Sequence, residues 1–543
     1  MGGGMQGEAG DSARKREQEH RLTRRRALGA TAAAAGGAAL AGLPNHAALA
    51  RERKIPVARD GSFEWGVSSG FPFPRSIVLW TRVGELDRSS RLFVEVARDR
   101  GFRKVVRRKE VLASHRRDFT VHVAIHKLKP RTEYFYRFHT RNSRSPVGRF
   151  RTAPPLDSNE QIRIGFFSCQ NYEAGFYNAH AGLAAEQDLD LVICLGDYIY
   201  EDSTYEGPRT DRTGDNNDAD VQFLHEYRQK YRLYQSDPDL QRMQGNHPFV
   251  TIWDDHEVED NYAGNRPSPA AAEGETNPGQ PRRQPLPFRR KNAYRAFFEA
   301  MPRIKRKGEP TRIYARGRMG RMADIFLLDE RQYRDQQPCG DANFIPCPEA
   351  DAPGRRMLGL PQKGWLKRGL ADSGAQWKLL GNQLMLMSFD LAPRQPVTVD
   401  SWDGYGAERR ELMQHVLDRG VKDVVALTGD IHTFFAGRIT TSGRIDGTPA
   451  ATEFVGGSVT SLGVKETLAN APAVEELERA ISVNNPHIEY ADFDKRGYGV
   501  LELSREAAIC EFKAPGTALE KGSPVSTLAK FRVESGSVEV ERI

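Results

Sequence analysis

The chain has 543 residues, too many for one ordinary domain and enough to bury two cores. A 39% hydrophobic share beside 28% charged residues is that of a folded globular protein, which excludes a fibrous or disordered chain. The net charge of +7 is small and diffuse for this length, so nucleic acid is not expected as a specific partner, and five cysteines are too few for a disulfide scaffold.

Residues 1–50 read as an export signal. Arg24, Arg25 and Arg26 precede a small, mildly apolar stretch that ends in Ala48-Leu49-Ala50, a small-x-small cleavage pattern. The arginine pair has the form of a twin-arginine signal, which implies the twin-arginine export machinery as a partner and a periplasmic or extracellular destination. The stretch is too weakly apolar to anchor the chain, and no later one offers the roughly 20 apolar residues of a spanning helix. No integral membrane segment is therefore expected in the mature chain.

Residues 51–155 alternate apolar and polar in short runs. Phe119, Val121, Val123 and Ile125 fall on one face, with Thr120, His122 and His126 on the other; Tyr134, Tyr136 and Phe138 repeat the period. Alternation of this kind predicts a small β-sandwich. His122 and His126 are expected on its solvated face rather than in a metal site. Thr152-Ala153-Pro154-Pro155 then closes the unit as a linker.

From residue 156 to 543 the pattern changes. Continuous apolar runs at Ile162–Ser168, Leu191–Leu195, Phe249–Trp253, Ala323–Leu328 and Val424–Leu427 alternate with helical periodicity, which predicts an α/β domain with strands buried on both faces. The stretch from Gly264 to about Arg289, rich in Pro, Gly, Glu and Arg, is expected to be a surface excursion. Cys339 and Cys347 flank a short loop and are able to pair in an exported protein; Cys194 and Cys510 read as core.

Polar clusters follow the apolar runs directly: Cys169-Gln170, Gly196-Asp197-Tyr198-Ile199-Tyr200, Asp254-Asp255-His256-Glu257, Asp329 with Arg331, Asn382-Gln383, and Gly429-Asp430-Ile431-His432. Ligands of open α/β sheets bind beyond strand carboxyl ends, so clusters dense in Asp and His imply one shared site. Alone, Asp197 would be a turn residue, His432 a satisfied core histidine, and Asp254 and Asp255 helix caps. Together they suit metal ions, and a carboxylate such as Asp197 can bridge two of them. Two ions so placed clamp both oxygens of an in-line phosphoryl displacement and acidify a bound water. A thiolate and a tyrosinate favour an iron(III)-like ion over magnesium. No nucleophile elbow, phosphate-binding loop, HExxH helix or CxxC pair is present.

The motifs G-D-x-x-Y (Gly196–Tyr200), D-H-E (Asp255–Glu257) and G-D-x-H (Gly429–His432) resemble the calcineurin-like metallophosphoesterases. The longer strings F-x-S-C-Q, L-G-D-Y-I-Y-E, W-D-D-H-E-V-E-D-N-Y, L-D-x-R-Q-Y-R and L-T-G-D-I-H resemble, in order, the PhoD-type alkaline phosphatases. The resemblance runs from about Phe63 to the C-terminus. It implies an α/β metallophosphoesterase sandwich, layered sheets with helices outside, preceded by an immunoglobulin- or fibronectin-like β-sandwich. It further implies iron(III) on Cys169, Tyr200 and His432, calcium on Asp255 and Asp430, Asp197 between them, and His256 near the leaving oxygen. Asn382 and Gln383 stand where the superfamily often has a histidine-bearing loop, which leaves the second ion's ligand set open, with Asp254 able to replace or supplement Asp255. Arg331 is a candidate phosphate clamp, or else a structural ion-pair partner. The expected function is hydrolysis of phosphate esters by metal-bound hydroxide, as an alkaline phosphatase with possible diesterase activity. The alternatives are a diesterase of phospholipid or cell-wall phosphodiesters and a non-catalytic calcium-binding surface module.

Overall fold

The N-terminal strands follow from the alternation seen in the sequence. They are β1 (Val67–Ser69), β2 (Ser76–Arg82), β3 (Ser90–Ala97), β4 (Val105–Ala113), β5 (Thr120–His126), β6 (Glu133–His139) and β7 (Gly148–Arg151). They form two antiparallel sheets, ordered β1-β2-β5 and β4-β3-β6-β7. Ile77, Leu79, Val121 and Val123 of the first sheet share a core with Leu92, Val94, Tyr136 and Phe138 of the second, as period-two burial requires. This is the expected β-sandwich. The computed structural model describes residues 55–203, 207–269, 283–463, 479 and 481–543; the export segment expected over residues 1–50 lies outside them.

The larger part is built on two mixed seven-stranded sheets. The first takes β8 (Ile162–Phe167), β9 (Leu191–Cys194) and β10 (Phe249–Thr251) as a parallel set. The second begins with β11 (Ala315–Met319), β12 (Ala323–Leu327) and β13 (Trp377–Gly381). After a short hairpin of β14 (Asp390–Ala392) and β15 (Gln395–Pro396) it continues through β16 (Val424–Thr428), β17 (Phe434–Thr440), β18 (Pro449–Gly456) and β19 (Ile488–Asp492). The chain then returns to the first sheet as β20 (Tyr498–Leu503), β21 (Ala507–Pro515), β22 (Val525–Glu534) and β23 (Glu541–Arg542). The sheet orders are β10-β9-β8-β20-β21-β22-β23 and β11-β12-β13-β16-β18-β17-β19. The C-terminal tail thus forms the far edge of the first sheet.

Strand alternation sets the layers. Phe166 turns inward, so that a Cβ on Gly456 of the other sheet would lie 3.0 Å from its ring, whereas Phe167 turns outward onto His180, with ring centroids 4.6 Å apart. Leu379, Val425 and Leu427 likewise join the core between the sheets, while Leu380, Val424 and Ala426 face a second core. Helices α1 (Asn178–Ala185), α2 (Leu224–Gln235) and α3 (Pro238–Asn246) bring apolar residues to the first core. Helix α4 (Leu286–Ala300) does the same, and α5 (Gly359–Ala371) and α6 (Gly406–Asp418) bring theirs to the second. Helix α3 starts where Asp237 accepts from the N–H groups of Asp239 and Leu240 with Pro238 at its first position. The surface excursion expected to reach Arg289 is shorter than its composition implies: α4 begins at Leu286, because Leu286, Arg289, Ala293 and Phe297 recur at helical spacing and are buried. The sandwich packs on the end of this helix, where Trp80 Nε1 donates to Glu299 O at 2.9 Å and His122 Nε2 to Met301 O at 2.9 Å.

Cys339 and Cys347 form a disulfide. It closes a short surface loop, so the chain-entropy gain is small. The Cys339→Ser/Cys347→Ser double variant is expected to lose about 2 kcal/mol in urea unfolding with unchanged hydrolytic activity.

Candidate metal centre

The loops that leave β8, β9, β10 and β16 meet at one rim of the paired sheets. Close contact between them is built in. Gly196, at φ 125°, lies where a Cβ would sit 2.4 Å from Cβ of Asp254, and a Cβ on Gly429 would lie 2.6 Å from that of Ser168. Cys169 N donates to Gly196 O (3.2 Å) and Gln170 N to Asp197 O (3.1 Å). The buried Glu257 carboxylate accepts from the backbone N–H groups of Asp197, Tyr198 and Asp254, at 3.2, 2.7 and 2.7 Å, and so locks the β9 and β10 loops together. Burial pushes Glu257 up to about 8 against the pull of these donors. Four side chains at the rim stand on left-handed backbone: Cys169 (φ 57°), Asp197 (φ 54°), Asp430 (φ 68°) and His432 (φ 55°). Each such residue costs about 1–3 kcal/mol, and strain of this kind concentrates at functional sites.

The rim gathers ligand-type atoms in overlapping groups, each within 4.8 Å: Cys169, Asp197 and His432; Asp197, Asp255 and His256; and Asp254, Asp255 and Asp430. Tyr200 Oη lies 3.1 Å from Asp197 Oδ2 and 3.3 Å from His432 Nε2, and it accepts from Ser461 Oγ at 2.6 Å. His432 Nδ1 donates to Leu462 O at 2.8 Å, which leaves Nε2 as the free lone pair facing Tyr200. Burial holds His432 neutral, down to about 4. Burial and the neighbouring Asp255 and Asp254 carboxylates push Asp197 well above the usual range, against His256. Burial, Asp255 and Asp400 push Asp430 up to about 7 against Arg331. Asp197 Oδ1 and Asp254 Oδ2 are buried with no hydrogen-bond partner among the described residues. Crowded carboxylates with unsatisfied oxygens, beside a thiol, a phenol and an oriented imidazole, are a donor set that fits metal cations.

His256 closes one side of the group. Its Nδ1 meets Glu201 Oε2 at 2.8 Å, its ring stacks on Tyr200 at 4.1 Å between centroids, and Nε2 lies 3.8 Å from Asp260. Burial opposes its charge, but Glu201, Asp197 and Asp255 outweigh it and keep the imidazole protonated well above its usual range. The side chains of His256 (15% exposed) and Asp430 (21%) form the rim's open flank.

Arg331 is fully buried, and every guanidinium nitrogen is on a carboxylate. Nε meets Asp254, Nη1 meets Asp400 Oδ2 (2.5 Å), and Nη2 meets Asp430 Oδ1 (3.0 Å) and Asp255 Oδ2 (3.4 Å). Asp400 is also held by Arg334 Nη2 (2.6 Å) and Gln337 Nε2 (2.7 Å). Three sequence candidates lie elsewhere. Asp329 accepts from Trp253 Nε1 (3.2 Å) and Gln332 N (3.0 Å); Asn382 Nδ2 donates to Leu384 O and Thr428 Oγ1, both at 2.8 Å; Gln383 Nε2 donates to Trp253 O (2.7 Å). They brace the turns after β12 and β13. The sequence reading missed Ser461 and Asp400, which stand in loops with no motif to mark them. It named Glu257 only within its motif, without the loop-locking role.

Two mixed sheets packed face to face, with an Asp/His/Cys/Tyr cluster where the parallel strands end, define a metallophosphoesterase. A PhoD-like phosphatase family model matches residues 164–512, and the model of the PhoD-like phosphatase N-terminal domain matches residues 48–154. The chain is 34% identical to alkaline phosphatase D of Bacillus subtilis (strain 168) over 501 residues, 89% of this chain and 82% of that protein. The solved structure of PhoD superposes with a TM-score of 0.78 at 32% identity, covering 90% of this chain and 93% of that one. A purple acid phosphatase from yellow lupin seeds shares the fold at a TM-score of 0.52 and 11% identity, over 86% of this chain and 73% of its own. The chain belongs to the PhoD-like phosphatase family and is a metal-dependent phosphoesterase of alkaline phosphatase type.

Proposed function

We propose that the centre holds iron(III) through Cys169, Tyr200 and His432 and calcium through Asp255 and Asp430. Asp197 is shared between the ions and Asp254 supplements the second. One observation carries this reading: Asp197 belongs both to the group with Cys169 and His432 and to the group with Asp255 and His256. When bound, such ions acidify a water and neutralise charge developing on phosphoryl oxygens. The protein's own groups do the rest. Glu201 fixes His256 through Nδ1, which leaves Nε2 to hand a proton to the departing ester oxygen. Arg331 takes a positioning role in place of the expected phosphate contact, since its donors are engaged by the carboxylates that hold the second ion. The substrate is a small phosphate monoester, with diesters as slower substrates. The two arginines of the N-terminal segment and the Cys339–Cys347 disulfide support export by the twin-arginine route to the periplasm or the cell exterior.

The test is metal analysis of protein exported in its native host, read with the visible spectrum and with turnover of an aryl phosphate against a bis-aryl phosphate. Iron and calcium, a tyrosinate-to-iron band and faster monoester turnover are expected. Cys169→Ser should weaken iron retention by about 10-fold or more and shift the band. Protein holding calcium alone and lacking hydrolytic activity would count against the whole reading.

A further inference from the structure

Away from the metal centre, two cavities adjoin where the N-terminal sandwich meets the edge strands of both large sheets, β10 and β11. The first, of about 290 Å³, has apolar walls that include Phe71, Val78, Phe249, Val250, Tyr314 and Leu327. The second, of about 500 Å³, is lined by Arg116, Arg117, Arg295, Arg303 and Lys305. Arg303 and Ile304 line both, so the apolar and the cationic space are neighbours. Such volumes lie at the lower end of small-molecule sites.

The charge at the junction is unbalanced. Arg303 donates only to the carbonyls of Thr251 (3.0 Å) and Ile313, and among the described residues no carboxylate lies within 4.0 Å of it. Arg116, Arg117 and Lys305, all exposed, likewise have no carboxylate within 4.0 Å among the described residues. The one carboxylate in the lining, Glu299, is already held by Arg228, at 2.7 and 3.0 Å, and by Arg295, at 3.0 Å. Burial, with Arg306, pushes Arg303 down to about 10 against the more distant Asp329, and His122 on the same wall is driven down to about 4 by burial and then by Arg117 and Lys305, against its bond to Met301 O. Asp329 reaches Arg303 and Glu299 reaches Lys305 only beyond salt-bridge distance, and five cations line the second cavity beside one carboxylate, so an anion at this junction would relieve the excess charge.

We propose that the adjoining cavities bind a free single-chain anionic amphiphile, its alkyl chain in the apolar cavity and its head group against Arg303, Lys305 and Arg117. A head group alone would leave the apolar walls unused, and a neutral chain would leave the cations unpaired. The site has no residue in common with the metal centre.

The experiment is titration calorimetry on the full, metal-loaded protein, its metal centre first saturated with inorganic phosphate, with dodecylphosphonate below its micellar range, which carries no ester to hydrolyse. It is expected to bind at least tenfold tighter than methylphosphonate or the neutral dodecyl maltoside. Arg303→Gln should weaken it at least tenfold. Because that residue is half-buried and donates to two backbone carbonyls, the exposed-site variants Lys305→Glu and Ile304→Asp provide the folded controls, and each should weaken binding several-fold with aryl phosphate hydrolysis unchanged. Equal affinity for methylphosphonate, full affinity in both exposed-site variants, or binding only to phosphatidylglycerol vesicles and not to the monomer would each overturn the proposal.

Discussion

Asp197→Asn is expected to abolish hydrolysis and metal retention while the fold survives. The side chain is buried, and its neighbours Asp254, Asp255 and Glu257 all oppose its ionisation. Without a cation its charge therefore destabilises the protein. Asparagine has the same shape, still accepts from Tyr200 Oη, and removes that charge. The metal-free variant should melt at or slightly above the metal-free parent. The metal-loaded parent gains stability that the variant lacks, on the order of 3 kcal/mol at a hundredfold excess over Kd. Turnover should fall on the order of 10³-fold or more, since the ligand proposed to be shared by both ions is lost. Thermal melts with and without chelator, metal analysis and kcat on an aryl phosphate together read the result. A variant that is metal-free and fully active would rule the centre out.

Arg331→Met should fail differently, through stability. The guanidinium is the common counter-charge of Asp254, Asp400, Asp430 and Asp255, and it has no exposure to water. Removing one partner of a buried charge network leaves the others uncompensated, at a cost of about 3–5 kcal/mol. Urea unfolding should show a lowered midpoint with unchanged slope. Lysine should not rescue, because a single ammonium cannot meet carboxylates reached by three separate guanidinium nitrogens. Adding Asp254→Asn to the Arg331→Met background should recover part of the loss, since Asp254 has no other cationic partner within salt-bridge distance among the described residues and its stranded charge is deleted. If Arg331→Met instead keeps full stability and only raises KM, the residue contacts phosphate and the positioning role is wrong.

Much of this protein was determined by the sequence alone. Period-two alternation at Val121, Val123 and Ile125 could only bury one strand face, so it specified a sandwich. The continuous apolar runs now seen as β8, β9, β10, β12 and β16 had to be covered on both faces, so they specified strands with other layers packed on each side. Cys169, Asp197, Tyr200, Asp255, His256, Asp430 and His432 each follow such a run within a few residues, and strand direction alone carries them to the same rim. What that position cannot decide is where a side chain turns once it arrives. Asp329, Asn382 and Gln383 also end strands, yet they bend back to brace turns because Trp253 Nε1, Thr428 Oγ1 and the Trp253 carbonyl lie within reach. Asp400 and Ser461 carry no local signal and reach the centre only because loops distant in sequence fold over it. Arg331 is the clearest case. Its sequence context offers phosphate and carboxylate as equal partners, and only the tertiary packing of the loops after β10, β12 and β16 surrounds it with acids.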